Sequence, residues 1–204
     1  MFSTFTILLI GLLFGLKHAT EVDHVVAVST IASQQRNVLR SALVGALWGA
    51  GHTASLLIIG VVVLSLRIAI PASVSNWFEF GVALMIIALG AAGLWRHSAR
   101  QKHSHAVSVI GIKPVLIGMM HGLAGSGALT LLVLTQISSV WLGLLYLAVF
   151  GFGSVVGMIL MSGLIGLPFA LTARNLASVH YRMQMVAAVV SIAFGLWYAY
   201  QTAF

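Results

Sequence analysis

The 204-residue chain has no cysteine, only three prolines and only three acidic residues. Without cysteine there are no disulfides, thiolate metal sites or cysteine nucleophiles, and the redox compartment is left open. Charged residues make up 6% of the chain and hydrophobic ones 60%, whereas a soluble domain carries about 25% charged residues. So little polar material cannot cover a soluble fold, which leaves an all-α integral membrane protein with the bilayer as its partner. The net charge is +7. Its basic residues sit mainly at the ends of apolar runs, where membrane topology explains them, and no nucleic-acid motif is present.

Six apolar runs reach spanning length, at about 2–33, 41–66, 76–95, 113–137, 140–164 and 182–203. The opening "MFSTFTILLIGLLFG" lacks a basic n-region and a clear cleavage site, so it reads as part of a mature span. The first run is too long for one simple helix and has a polar insertion in its middle. Two tandem helices and one broken helix both fit. Arg36 and Arg40 follow the first span, Arg96, Arg100, Lys102 and Lys113 flank the third connection, and Arg174 and Arg182 flank the fifth. The positive-inside rule places those three connections in the cytoplasm and both termini outside, in a multi-pass protein of the plasma (inner) membrane.

A weak internal repeat accompanies this layout. Ala46, Gly49 and Gly51 match Ala148, Gly151 and Gly153 at a separation of 102, and Gly93 and Trp95 match Gly195 and Trp197. Gly15 and His18 match Gly118 and His121 one residue further out. Three spans repeated once place the second copy upside down, an arrangement found in transporters with a midplane site at broken helices. The expected domain is therefore one membrane unit. Repeat one covers about 1–96, a cytoplasmic loop about 96–113 and repeat two about 113–204, with the first and fourth helices broken.

Two of the three carboxylates lie in "GLKHATEVDH", residues 15–24. A charge at the bilayer centre costs about 2.5–3.5 kcal/mol even on lenient scales, and such groups are functional by default. At about 100° per residue, His18 and Glu21 share a helical face, Asp23 lies about 140° from His18, and His24 about 120° on its other side. A straight helix cannot aim His18, Asp23 and His24 at one ion. Either the segment unwinds, helped by Gly11 and Gly15, or the three act at different steps. Lys17 either snorkels or neutralises Glu21.

Imidazole with carboxylate suits Ni²⁺, Co²⁺, Zn²⁺, Cu²⁺ and Fe²⁺. His52 in "GAGHTAS" and His121 in "GMMHGLAGSG" fall mid-span as well, so four histidines and two acids lie on three spans. "HGLAGSGAL" reads either as close helix packing or as a second break whose carbonyls or Ser126 line a path. His97, His103 and His105 form either a metal-capturing loop or a solvated basic one. The eight methionines read as packing.

The pattern His18-x4-Asp23-His24 with Gly51-His52-Thr53 on the next span resembles the two signatures of the nickel/cobalt transporter family. Six-span length and "HGLAGSGAL" look like its shorter urease-accessory-type members. The resemblance implies a permease for Ni²⁺ or Co²⁺, the metal being substrate and not cofactor, that serves enzymes such as urease. It makes His18, Asp23, His24 and His52 metal residues, with Glu21, His121, Ser126 and Thr53 as further pathway candidates. A metallochaperone and a second copy of the chain are the remaining partner candidates. Two departures matter: Glu21 stands where the larger permeases have aspartate, and Ser29-Thr30 where they have an Asp-Asn pair. Two other readings compete. One is a proton- or anion-conducting protein that uses the same residues as a relay. The other is a membrane acyltransferase with a histidine base, for which no second motif block is found.

Overall fold

Ser3 starts the first helix by accepting the amide of Thr6 at 3.2 Å, the usual role of a small hydroxyl residue at a helix N-terminus. In the computed structural model this helix, α1, runs Thr4–His18, and α2 follows at Val22–Ala32. The remaining helices are α3 Val38–Leu66, α4 Ala72–Arg100, α5 Ile112–Gln136, α6 Val140–Asn175 and α7 Ala177–Ala203. The structure describes residues 3–68, 70–100, 111–137 and 139–203, with the backbone course alone for 96–100, 126–136 and 174–175. There is no strand among the described residues. Four helices, α3, α4, α6 and α7, are long and apolar enough to cross a bilayer, and the pair α1–α2 is a fifth candidate, bent by 52°.

The break that the first run requires falls at Ala19–Glu21. Thr20 turns its hydroxyl onto the Lys17 carbonyl at 2.6 Å, and Glu21 adopts an extended conformation that restarts the chain as α2. Gly11 and Gly15, expected to loosen the helix, instead stay helical and buried. A Cβ on Gly15 would stand 2.9 Å from the Phe150 carbonyl carbon, so this glycine brings α1 onto α6. The expected break in the fourth span is not found, because α5 is one continuous helix. Its small residues serve packing instead. Gly118 lies against the backbone of Trp48 and Gly122 against that of His52, so backbones of α5 and α3 meet directly.

α3 packs along α5 and α6, α1 along α6, and α4 along α7. Ile7, Leu64, Ile137 and Val140 share one apolar cluster with Tyr146, while Ser73 and Asn76 line a cavity with Thr202 and Ala203. The start of α1 and the end of α7 therefore lie on the face where α3 and α5 end and α4 and α6 begin. Trp77, Trp141 and Trp197 stand out from the helices near that face, as in an interfacial aromatic belt. α6 is longer than its apolar run suggested and contains Pro168; Thr172 one turn later bonds to the Pro168 carbonyl at 2.8 Å.

Candidate metal centre

The α1–α2 break solves the orientation problem. His18 ends α1, and Asp23 and His24 sit in the first turn of α2, where a helix N-terminus favours a carboxylate. α3 brings His52 from its middle and α5 brings His121. All four imidazoles are buried. The His24 ring lies between its neighbours, with ring centres 4.4 Å from both His18 and His121, and it stacks on Trp48 at an interplanar angle of 9°.

Each carboxylate orients an imidazole. Glu21 accepts from His18 Nδ1–H at 2.8 Å, which leaves His18 Nε2 as the lone-pair nitrogen, and that atom lies 3.2 Å from His52 Nε2. Asp23 spans two rings, reaching His24 Nδ1 at 3.1 Å and His121 Nε2 at 3.0 Å. His24 Nε2, His52 Nδ1, His121 Nδ1 and Trp48 Nε1 are buried without a hydrogen-bond partner. Carboxylates placed behind imidazoles, with bare nitrogens in front, are how proteins prepare metal ligands. Two donor groups have ligand atoms within 4.8 Å of one another: His18, His24 and His52, and Asp23, His24 and His121. Only His24 belongs to both.

A cavity of about 370 Å³ lies over the centre, lined by Lys17, His18, Glu21, Asp23, His24 and His121, and also by Glu79 and Tyr198. All three acidic residues of the chain thus line one cavity. Glu79 and Tyr198 went unnoticed in the sequence because α4 and α7 carry no motif; that Glu79 is the only other acid was the available signal. Glu79 lies about two turns from the start of α4, so the cavity extends toward the face carrying the termini. Glu21 pairs with His18 rather than with Lys17. Thr53 donates to the Gly151 carbonyl at 3.1 Å, at the α3–α6 contact. The side chains of Ser126, His97, His103 and His105 lie outside the described residues.

Fold and site together define, among the described residues, a helical protein with helices long and apolar enough to cross a membrane, built around a buried histidine–carboxylate centre. The chain belongs to the family of the urease accessory protein UreH. It is 36% identical to UreH of Bacillus sp. (strain TB-90), over 96% of this chain and 91% of that protein. It is also 27% identical to two Arabidopsis thaliana proteins, Chloroplast protein FOR GROWTH AND FERTILITY 1 and 2. Those alignments cover 91% and 85% of this chain but only 56% and 50% of the plant proteins. No family model matches the chain, and no solved structure is similar to it.

Proposed function

We propose that the protein carries a divalent transition-metal ion, Ni²⁺ or Co²⁺, across the plasma (inner) membrane. The observation that carries this reading is the buried set of His18, His24 and His52 with Glu21 and Asp23 behind them, under a cavity that collects every carboxylate of the chain. Imidazole with little carboxylate and no thiolate suits Ni²⁺ and Co²⁺. A relative named as a urease accessory protein supports nickel in particular, as does the resemblance of the two motifs to the nickel/cobalt transporters.

In this reading α5 also crosses the bilayer, which makes six spans, and the chain is two inverted repeats on either side of the cytoplasmic loop at about 96–113. Backbone contacts support the repeat pair by pair. Gly15 meets Phe150 as Gly118 meets Trp48, and Gly51 meets Val115 as Gly153 meets Leu12, each contact mapping onto its partner at a shift of 102 or 103. The packing of α3 on α5 likewise mirrors that of α6 on α1. Arg36, Arg40 and Arg182 mark the opposite face as cytoplasmic, so the cavity and both termini face outward. Alternating access then rocks one repeat against the other.

The test is titration of metal-free protein with Ni²⁺, Co²⁺ and Zn²⁺ by calorimetry, beside uptake into proteoliposomes. Weakened binding and lost uptake are expected in His18→Ala and His52→Ala. Uptake of protons with no metal bound would favour the second reading, a relay through the His121–Asp23–His24 hydrogen bonds.

A further inference from the structure

The five donors of the centre do not converge on one point. His18, His24 and His52 form one group and Asp23, His24 and His121 another. The second group lies wholly on the cavity wall, whereas His52 is fully buried and does not line the cavity. The shared ring uses different atoms on its two edges: Nδ1 meets Asp23, and Nε2 is buried and unpartnered. From this we infer that the centre has two overlapping ion positions, an outer one of Asp23, His24 Nδ1 and His121 Nε2, and an inner one of His18, His24 and His52 through Nε2. The ion passes from one to the other by exchanging ligands on opposite edges of the His24 imidazole. This deepens the transport reading and rests on it.

The chemistry of the two positions gives the order. The outer position includes a carboxylate, which favours a divalent cation arriving from water. The inner position has three imidazoles suited to a borderline metal: His18 and His24 offer Nε2 lone pairs, and His52 does so once the Nε2 proton it donates to His18 is lost and its unpartnered Nδ1 is protonated. As the ion moves inward, Asp23 changes from ligand to hydrogen-bond acceptor of His24 Nδ1–H, the arrangement the structure shows. The ring stays neutral in both states: Nε2 gives up its proton as the ion arrives there, and Nδ1, facing Asp23, takes one up from the water of the cavity as the ion departs. Trp48, stacked on that ring, holds its plane fixed while the ion changes edges.

Co²⁺ is the probe, because its visible absorption reports the ligand set. Binding is measured by calorimetry and absorption for wild type, His121→Gln, His52→Gln and His24→Gln. His121→Gln and His52→Gln are each expected to retain one Co²⁺ position, with absorption spectra that differ from each other, while both lose uptake. His24→Gln is expected to lower affinity by about 100-fold or more, the upper end of what loss of a supporting partner alone produces. Wild-type binding with His121→Gln as inactive toward Co²⁺ as His24→Gln would mean one composite site and overturn the two-position proposal alone. Identical spectra for the two single variants would overturn it as well. A wild type that binds no Co²⁺, Ni²⁺ or Zn²⁺ overturns the transport reading itself. If His121→Gln does not give a monodisperse protein, His121→Asn carries the same comparison.

Discussion

His18 and His52 face each other nitrogen to nitrogen, Nε2 to Nε2 at 3.2 Å, from helices separated in the chain by the α1–α2 break and the whole of α2. His52 Nε2–H donates to the lone pair of His18 Nε2, and a bound cation would take the place of that proton. Glu21 decides which nitrogen of His18 is bare, because its carboxylate holds the proton on Nδ1. The pair is therefore prepared for a cation from behind.

Removing that support should weaken the centre without removing a ligand. Glu21→Gln keeps the shape but loses the charge that fixes the His18 tautomer. Metal affinity is expected to fall by about 10–100-fold, with thermal stability nearly unchanged, since Glu21 is the exposed member of the pair. Calorimetry beside a thermal unfolding scan checks this. An unchanged affinity would remove Glu21 from the site.

The α1–α6 contact makes a sharper demand on stability. A Cβ at Gly15 would stand 2.9 Å from both the Phe150 carbonyl carbon and the Ser154 amide nitrogen, whereas one at Gly111 would meet nothing within 4 Å. Gly15→Ala is expected to cost about 1–3 kcal/mol by overpacking and to displace His18 three residues later, so metal binding falls with it. Gly111→Ala is the control and should leave both intact. Thermal midpoints and Ni²⁺ titrations of the two variants separate the outcomes.

Much of the centre was legible from residues 15–24. The wheel angles alone excluded a straight helix, and the shared face of His18 and Glu21 reappears as their ion pair. His121 stood out by its position within an apolar run and by the match of Gly118 and His121 to the spacing of Gly15 and His18. The location of the break was not, because it depends on Thr20 capturing the Lys17 carbonyl and not on the glycines upstream. The supposed second break was misread because glycine serves close packing and chain breaks alike, and only the nearness of Trp48 and His52 to α5 separates the two. Ser29 and Thr30, the departure from the larger permeases, turn out to bind helices: Ser29 bonds to the Val26 carbonyl and Thr30 to Ser191 on α7. Glu79 stayed hidden because it joins the cavity only through the packing of α4.

Thr30 therefore yields a stability prediction and not a binding one. Thr30→Val removes the hydroxyl that joins α2 to α7 and keeps the volume. In membrane proteins such bonds average about 0.6 kcal/mol and reach about 1.7, so a drop in the thermal midpoint of that order is expected, with metal affinity within about twofold of wild type. A large loss of affinity would place Thr30 on the ion path.

Glu79 should act on arrival more than on binding. It lines the cavity but belongs to neither donor group. A carboxylate there raises the local concentration of cations, an effect screened by salt. Glu79→Gln is expected to lower uptake about tenfold at trace metal and low ionic strength. The difference should shrink at saturating metal and at high salt. Uptake kinetics at two salt concentrations check this, and a loss that salt and metal concentration leave untouched would assign Glu79 a structural role.

Acid should unload the centre, and the sign follows from the ligands. Only neutral imidazole binds a metal, so protons and the ion compete for the same nitrogens. At high pH the competition is weak and affinity is highest. As the pH falls, each imidazole that must give up a proton to bind reduces apparent affinity by as much as about tenfold per pH unit. Ligation by His18, His24, His52 and His121 therefore predicts affinity that is lost toward acid and never gained. Ni²⁺ binding and uptake measured from about pH 4 to 8 check this, and an affinity that rises as the pH falls would mean that the histidines are not the ligands.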